Sequence, residues 1–125
     1  HRIGLYDGIL IKENHIAAAG SVETAVRHAR EANPGIPVEI EVENEAEVIA
    51  ALEAGAERLL LDNFAIADLR HTAALVAGRA SLEASGGITL GNIREIAATG
   101  IDFISVGALT KDVHATDFSM KFSLD

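Results

Sequence analysis

Residues 38–43 read Val-Glu-Ile-Glu-Val-Glu, a strict alternation of β-branched apolar residues with acidic residues. Successive side chains of a β-strand point to opposite faces, so the three apolar side chains share one face and the three acids share the other. Such alternation is typical of an antiparallel strand with one face in water, because a parallel sheet covered by helices on both faces would bury the acids. In a barrel, alternate residues of each strand point into the lumen instead, so acidic side chains can lie there.

The rest of the chain alternates strand-like runs with helix-like stretches. The runs start about 21–30 residues apart, which is the length of a strand–helix–strand unit. The predicted strands are 8–12, 37–43, 58–62, 80–85 and 102–106, and the predicted helices are 22–32, 45–54, 66–76 and 90–99. A further alternation of polar and apolar residues at 117–124 predicts a terminal strand.

Capping residues support these helices. Ser21 and Thr89 are predicted N-caps, and Asn44 with Glu47 three residues later forms a capping-box-like pair. Glycines at 55 and 100 stand where a left-handed residue commonly ends a helix. Strand–helix alternation implies a parallel sheet covered by helices. The repeat length fits both an open doubly wound sheet and a barrel, and the alternation at 38–43 favours the barrel. The sequence therefore predicts an α/β protein, a TIM-like barrel that is incomplete, with about five parallel strands and intervening helices.

Composition narrows the function classes. The 125 residues are 49% hydrophobic, as one compact unit requires, and contain no cysteine for a disulfide or thiolate metal site. The lack of cysteine fits a reducing cytoplasm, where we expect the protein. The formal net charge of −9 argues against nucleic-acid binding and against an anionic membrane surface. No apolar run of about 18 residues is present to cross a membrane.

Polar residues occur at the carboxyl end of nearly every predicted strand, where α/β proteins bind ligands. Ser85, Gly86 and Gly87 follow one strand, and Gly107 follows the next. Glycines let backbone amides approach an oxyanion, and a following helix N-terminus adds about half a positive charge. Two such loops in consecutive units predict a phosphate site, although each alone also fits a bare turn.

Two carboxylates end neighbouring strands on the predicted lumen side. Glu41 and Asp62 are placed to hold ribose hydroxyls or to share Mg²⁺ with a diphosphate. The alternatives are salt bridges to lumen cations and, for Asp62-Asn63, a simple helix N-cap. Glu83 fits either a ligand contact or a role in ordering the glycine loop.

Three cations lie on the first strand-like segments. Together His1, Arg2 and Lys12 suit a small polycarboxylate, since an arginine fork matches a carboxylate and a lysine supplies a point charge. Surface exposure of Arg2 and a counter-ion role for Lys12 remain open. The sequence has no His-x-x-x-His metal spacing and no Gly-x-Ser-x-Gly nucleophile motif.

Six ordered segments resemble the successive motifs of quinolinate phosphoribosyltransferases, and together they span nearly the whole chain. They are HRIGLYD at 1–7, LIKENHI at 10–16, EIEV at 39–42, LLDN at 60–63, EASGGI at 83–88 and SVGALT at 105–110. Six motifs in family order are far more specific than any one of them. The resemblance implies that quinolinate and phosphoribosyl diphosphate become nicotinate mononucleotide, diphosphate and CO₂, with Mg²⁺, in NAD biosynthesis.

The resemblance also implies residue roles. His1, Arg2 and Lys12 match quinolinate contacts, and Glu41 and Asp62 match the acids that engage the ribose and the metal. The positions that match the 5′-phosphate loops are Ser85, Gly86, Gly87 and Gly107. The cations would hold both quinolinate carboxylates so that the ring nitrogen meets the anomeric carbon. Nearby acids would stabilise the positive charge that develops on the ribose.

The chain matches only part of the family pattern. Residues 1–125 match only the C-terminal part of the catalytic barrel, and the family's N-terminal α/β domain and early Thr-Arg-Lys-Thr strand have no counterpart. Glu13 stands where aspartate is commoner. Because the N-terminal domain caps the partner's site in family dimers, we expect a homodimer or higher homo-oligomer of the full-length protein. We expect the 125-residue chain alone to be inactive and prone to associate.

Three alternatives remain open from the sequence. One is a paralogue of the same fold with another substrate, such as the molybdenum-transport-associated relatives. Another is a phosphate-binding barrel isomerase or aldolase, in which Lys12 would form a Schiff base. The third is a non-catalytic fragment or binding module.

Overall fold

The computed structural model describes residues 6–123, so the predicted quinolinate contacts His1 and Arg2 lie outside the described residues. Five strands form one sheet in the order β1-β2-β3-β4-β5, and every neighbouring pair is parallel. They are β1 Ile9–Ile11, β2 Val38–Val42, β3 Arg58–Asp62, β4 Ser81–Ser85 and β5 Phe103–Ile104. The five predicted strands are confirmed, with shorter bounds for all but β3.

Helices connect the strands. They are α1 Glu13–Ala19, α2 Val22–Ala32, α3 Glu45–Glu53, α4 Ile66–Val76, α5 Ile93–Ala97 and α6 Ala108–Lys111. The predictions for α2 and α4 are confirmed to the residue, and α3 ends one residue early. The predicted helix at 90–99 shortens to five residues. Helices α1 and α6 were not predicted.

The core lies between the sheet and its helices. Along β2, Val38, Ile40 and Val42 are buried while Glu39 and Glu41 are only partly covered. Val48 of α3 belongs to the same buried cluster. The alternation at 38–43 therefore marks one face packed on helices and one polar face, as the lumen interpretation predicts.

The strand register places the polar residues of that second face in layers. Glu39 pairs with Arg58, which pairs with Ser81. One layer nearer the carboxyl ends, the partners in order are Glu41, Leu60, Glu83 and Phe103. In the last layer Asp62 pairs with Ser85.

Several predicted helix limits are confirmed. The Ser21 hydroxyl accepts the Thr24 amide at 3.1 Å, and the Asn44 side chain accepts the Glu47 amide at 3.0 Å. Gly55 and Gly100 both have positive φ, at 77° and 95°. The sequence could predict these helix limits because each depends on residues within one helical turn.

The predicted cap at Thr89 is wrong, and so is the alternative that Asp62-Asn63 is only a helix N-cap. The N-cap of α4 is Ala65, so Asp62-Asn63 does not cap it. The N-cap of α5 is Asn92 rather than Thr89, because the chain first makes a turn in which the Thr89 amide donates to Asn92 Oδ1 at 2.8 Å. The helix therefore starts later than the capping signal suggested.

The predicted terminal strand at 117–124 is also wrong for its described part. Residues 113–123 contain no helix or strand, although Phe118, Met120 and Phe122 alternate with polar residues. A strand requires a hydrogen-bonded neighbour, and no strand of the described sheet pairs with this segment. In the part of the chain described, no helix is long and apolar enough to cross a bilayer.

Candidate functional site

The centre of the candidate site is an ion pair between β1 and β2. The Nζ atom of Lys12 lies 2.6 Å from Oε2 of Glu41, and the Glu41 side chain is only 11% exposed. Lys12 directly follows β1 and Glu41 lies near the end of β2, so the parallel register brings both to one sheet edge. The hydrogen bond to Glu41 raises the pKa of Lys12 above its ordinary value, against an opposing effect of burial. Lys12 is therefore a fixed cation.

Asp62 is a second carboxylate at the same edge of the sheet, at the end of β3. Its negative charge contributes to the raised pKa of Lys12, after the larger effects of Glu41 and Glu13. The adjacent Asn63 donates from Nδ2 to Asp62 Oδ2 at 2.6 Å and has a left-handed φ of 56°. The Asn63 amide donates to the Ser85 carbonyl at 3.0 Å, which ties the end of β3 to the end of β4.

The glycine loop begins at that junction. Gly86 and Gly87 have φ values of 87° and 59°, which L side chains rarely adopt. Within residues 6–123, no acceptor takes a hydrogen bond from the amides of Gly86 or Gly87. The Gly87 carbonyl accepts from Asn92 Nδ2 at 3.1 Å, which holds the loop against the following turn. Two successive unpaired amides at a strand end are suited to an oxyanion.

The loop does not lead straight into a helix, contrary to the sequence prediction. Helix α5 starts at Ile93, beyond the intervening turn, so its dipole does not act directly at Gly87. The second loop does lead straight into a helix, because Gly107 immediately precedes α6, although that helix was not predicted.

Lys111 is a cation that the sequence analysis missed. Its Cε atom comes within 3.9 Å of where a Cβ atom on Gly107 would stand. Lys111 follows Gly107 by four residues, one helical turn, and that spacing was the available signal. The lysine therefore adds positive charge beside the second glycine loop.

A second polar cluster lies on the lumen face nearer the amino ends of the strands, and we call it the lower cluster. Glu83 is 9% exposed and accepts a hydrogen bond from the Ser105 hydroxyl, while Arg58 stacks 4.5 Å above the Phe103 ring centroid. Burial and the neighbouring Glu83 raise the pKa of Glu39 to about 7, and Arg58 opposes this shift. The buried Oε1 atom of Glu39 has no hydrogen-bond partner among the described residues.

A cavity of about 650 Å³ opens on this lower cluster and includes Glu39, Arg58 and Ser81. It lies toward the amino ends of the strands, whereas the ion pair and the glycine loop lie at the carboxyl ends. We place the site at the carboxyl ends because its cation, acids and free amides are grouped there.

The structure thus brings most of the predicted site residues together. Lys12 and Glu41 are in contact, and Asp62 lies at the same edge of the sheet, paired with Ser85 at the start of the glycine loop. Gly107 follows the neighbouring strand β5. No group of three or more His, Cys, Asp or Glu residues within 6–123 is arranged to hold a metal ion alone.

Comparison with known proteins gives a consistent result. Residues 1–121 match the family model described as quinolinate phosphoribosyl transferase, C-terminal domain. A relative from Bacillus subtilis, named probable nicotinate-nucleotide pyrophosphorylase [carboxylating], is 44% identical over 125 residues. That match covers 99% of this chain but 43% of the relative, so the chain spans less than half the length of such relatives.

Solved structures agree on the fold. The nicotinate-nucleotide pyrophosphorylase from Francisella tularensis superposes with a TM-score of 0.85 at 47% identity, covering 89% of this chain and 40% of that one. A thiamine phosphate pyrophosphorylase from Pyrococcus furiosus, which is TIM-like, gives a TM-score of 0.65 at 25% identity, covering 80% and 48%. The parallel strands thus belong to a TIM-like barrel, as the sequence predicted.

Proposed function

The chain belongs to the quinolinate phosphoribosyl transferase family through its C-terminal domain, and from that premise we propose the reaction of its parent protein. Quinolinate displaces diphosphate from phosphoribosyl diphosphate and then loses CO₂, giving nicotinate mononucleotide. The ring nitrogen forms the new bond to the anomeric carbon as the bond to diphosphate breaks. The chain would form the C-terminal part of the barrel domain.

The observation that carries this proposal is the Lys12–Glu41 ion pair at the same sheet edge as Asp62 and as the Gly86–Gly87 loop, whose amides donate to no acceptor within residues 6–123. The substrates require a cation for a pyridine carboxylate, acids for the ribose and amides for a phosphate. All three kinds of group occur at the carboxyl ends of adjacent parallel strands. That is where TIM-like barrels bind substrates.

Each group has a distinct electrostatic task. The carboxylates of Glu41 and Asp62 would stabilise the positive charge that develops on the ribose ring as diphosphate leaves. Lys12 stays protonated because Glu41 raises its pKa, so it would hold a quinolinate carboxylate as a point charge. His1 and Arg2 would hold the diacid with Lys12. Decarboxylation would follow because the electron pair that CO₂ leaves on the ring carbon is stabilised by the adjacent cationic nitrogen, and a proton from water then takes the place of CO₂.

The same Lys12 geometry argues against the aldolase alternative. A Schiff base requires a lysine whose pKa is lowered, so that the free amine is available. The pKa of Lys12 is raised, and its ammonium group is bonded to a nearly buried carboxylate.

Mg²⁺ is proposed as the cofactor. Glu41 and Asp62 are two carboxylates at one edge, and Mg²⁺ commonly binds one or two protein carboxylates together with substrate phosphates and waters. The donor set fits that mode, in which diphosphate supplies further ligands. When bound, the ion would neutralise the diphosphate leaving group.

The test uses the full-length protein with quinolinate and phosphoribosyl diphosphate. We expect diphosphate release matched by nicotinate mononucleotide, with quinolinate strongly preferred over nicotinate. Lys12→Gln and Glu41→Gln should each lower kcat/KM about 100-fold or more, as for other groups that stabilise transition-state charge. Lys121→Gln and Glu53→Gln are exposed matched controls and should stay near wild type. Absence of product from the full-length protein, or turnover of nicotinate instead, would refute the proposal.

Two further features stay predictions: a homodimer or higher oligomer of the full-length protein, and a cytoplasmic location. The dimer prediction rests on the family resemblance, and sedimentation of the full-length protein tests it. The cytoplasmic prediction rests on the absence of cysteine from the sequence.

A further inference from the structure

A side-chain hydrogen bond joins the two strands that carry the glycine loops. The Ser105 hydroxyl donates to Oε1 of Glu83, across the β4–β5 pair. Gly86 follows Glu83 by three residues, and Gly107 follows Ser105 by two. The bond therefore lies close to both loops and links their supporting strands.

The backbone pairing of these strands is short. β5 has two residues, and its register with β4 consists of Glu83 with Phe103 and Ala84 with Ile104. At the amino end, Asp102 Oδ2 accepts the Leu82 amide at 2.8 Å. The Glu83–Ser105 bond is the corresponding side-chain tie toward the loops. Two backbone bonds flank that register, from the Asp102 amide to the Leu82 carbonyl at 3.0 Å and from the Ser105 amide to the Ala84 carbonyl at 2.9 Å. The hydroxyl of Ser105 adds a charge-assisted bond at the last point where the two strands pair before the loops.

Glu83 is poorly placed to touch a phosphate itself. It occupies the layer of Leu60 and Phe103, one layer below Asp62 and Ser85. It is also 9% exposed, and a carboxylate would repel a phosphate. Glu83 would therefore affect substrate binding indirectly, through the position of Ser105, whose hydroxyl donates to it.

We propose that Glu83 is a positioning residue whose hydrogen bond from Ser105 fixes β5 against β4, so that the Gly86–Gly87 and Gly107 loops converge on one phosphate group. This inference rests on the proposed phosphoribosyl substrate. Losing the bond lets the second loop shift, which weakens phosphate binding but leaves the Lys12–Glu41 pair unaffected. The predicted effect is therefore selective for the phosphorylated substrate.

The test measures both substrates with full-length variants. Ser105→Ala should raise the KM for phosphoribosyl diphosphate about tenfold, the scale of one lost hydrogen bond to a charged group. The KM for quinolinate should change less than about twofold. Ser105→Thr, which retains the hydroxyl, should restore most of the loss. Ser81→Ala removes a hydroxyl from the same face of β4 and should leave both constants near wild type.

A second measurement separates this inference from the proposed function. Titration with ribose 5-phosphate reports on the loops without catalysis, and Ser105→Ala should weaken that binding as much as it raises KM. If Ser105→Ala does not fold, Glu83→Gln keeps an acceptor oxygen and should stay within about threefold, whereas Glu83→Ala should not.

Equal rises in both KM values, or unchanged ribose 5-phosphate binding in Ser105→Ala, would overturn the positioning role. If the wild type makes no nicotinate mononucleotide yet loses ribose 5-phosphate binding on Ser105→Ala, the proposed reaction fails and the positioning role stands.

Discussion

The side-chain amide of Asn63 occupies the space that a Cβ atom on Gly86 would need. The clash also involves the Asn63 backbone nitrogen, which cannot swing aside because it donates to the Ser85 carbonyl. Since Gly86 also has φ at 87°, any other residue there meets both a collision and backbone strain.

Gly86→Ala should therefore destabilise the protein more than Gly87→Ala does. Gly87 has a φ of 59° but open space around its Cβ direction, so its alanine variant meets backbone strain of about 1 kcal/mol and no collision. We expect Gly86→Ala to cost roughly 2–4 kcal/mol. Denaturant unfolding of both variants checks this, and equal losses would show that the Asn63 contact does not matter.

Removing the acid from the Lys12–Glu41 pair should change the chemistry of the amine. Glu41→Gln keeps an acceptor oxygen but takes away the negative charge that strengthens the hydrogen bond and raises the pKa of Lys12, so this pKa should fall toward its ordinary value. The amine then reacts faster with an acylating reagent at a mildly alkaline pH. Mass spectrometry of labelled peptides measures the rate, with the exposed Lys121 as an internal reference. An unchanged ratio of the two rates would contradict the ion pair.

The 125-residue chain by itself should associate and lack activity. Its sheet ends in β1 and β5, which have no further partners within the described residues, and unpaired strand edges invite pairing with other chains. Large apolar side chains at Phe118, Met120 and Phe122 are also 78–88% exposed. Sedimentation should give a mass above the 13.1 kDa of one chain. A monomer that releases diphosphate would contradict both parts.

The parts of the fold that the sequence predicted depend on local patterns. The alternation at 38–43 predicted which face of β2 points into the lumen, and the capping residues predicted where α2 and α3 begin. Helix α1 was missed because it is only seven residues long and its apolar face is limited to Ile16 and Ala19, which are partly buried against the core.

The remaining site features depend on contacts between strands. The Ser105–Glu83 bond and the Asn63–Gly86 contact arise only once the register of β3, β4 and β5 is set. A single sequence offers no local signal for either, although Glu83 was recognised as a candidate for ordering the loop.

Glu39 should make the stability of the protein depend on pH. Burial and the carboxylate of Glu83 raise its pKa from 4.5 to about 7, while Arg58 on β3 opposes the shift and Asp7 lines the same cavity. In the unfolded chain Glu39 loses its proton near its ordinary pKa, so the native state binds more protons between pH 4.5 and 7. The stabilising effect of the bound proton is complete below that range and disappears as the pH rises through about 7.

The free energy of unfolding should therefore decline from pH 5 to pH 8 in the wild type. The slope should be below the roughly 1.4 kcal/mol per pH unit of one full proton, because Glu39 is only partly buried and water screens its charge. Glu39→Gln stays neutral at every pH, so its decline should be smaller, whereas the exposed Glu53→Gln should follow the wild type. Urea unfolding at pH 5, 6, 7 and 8 provides the comparison. Parallel profiles for wild type and Glu39→Gln would show that Glu39 is ionised throughout, which the burial of its Oε1 atom argues against.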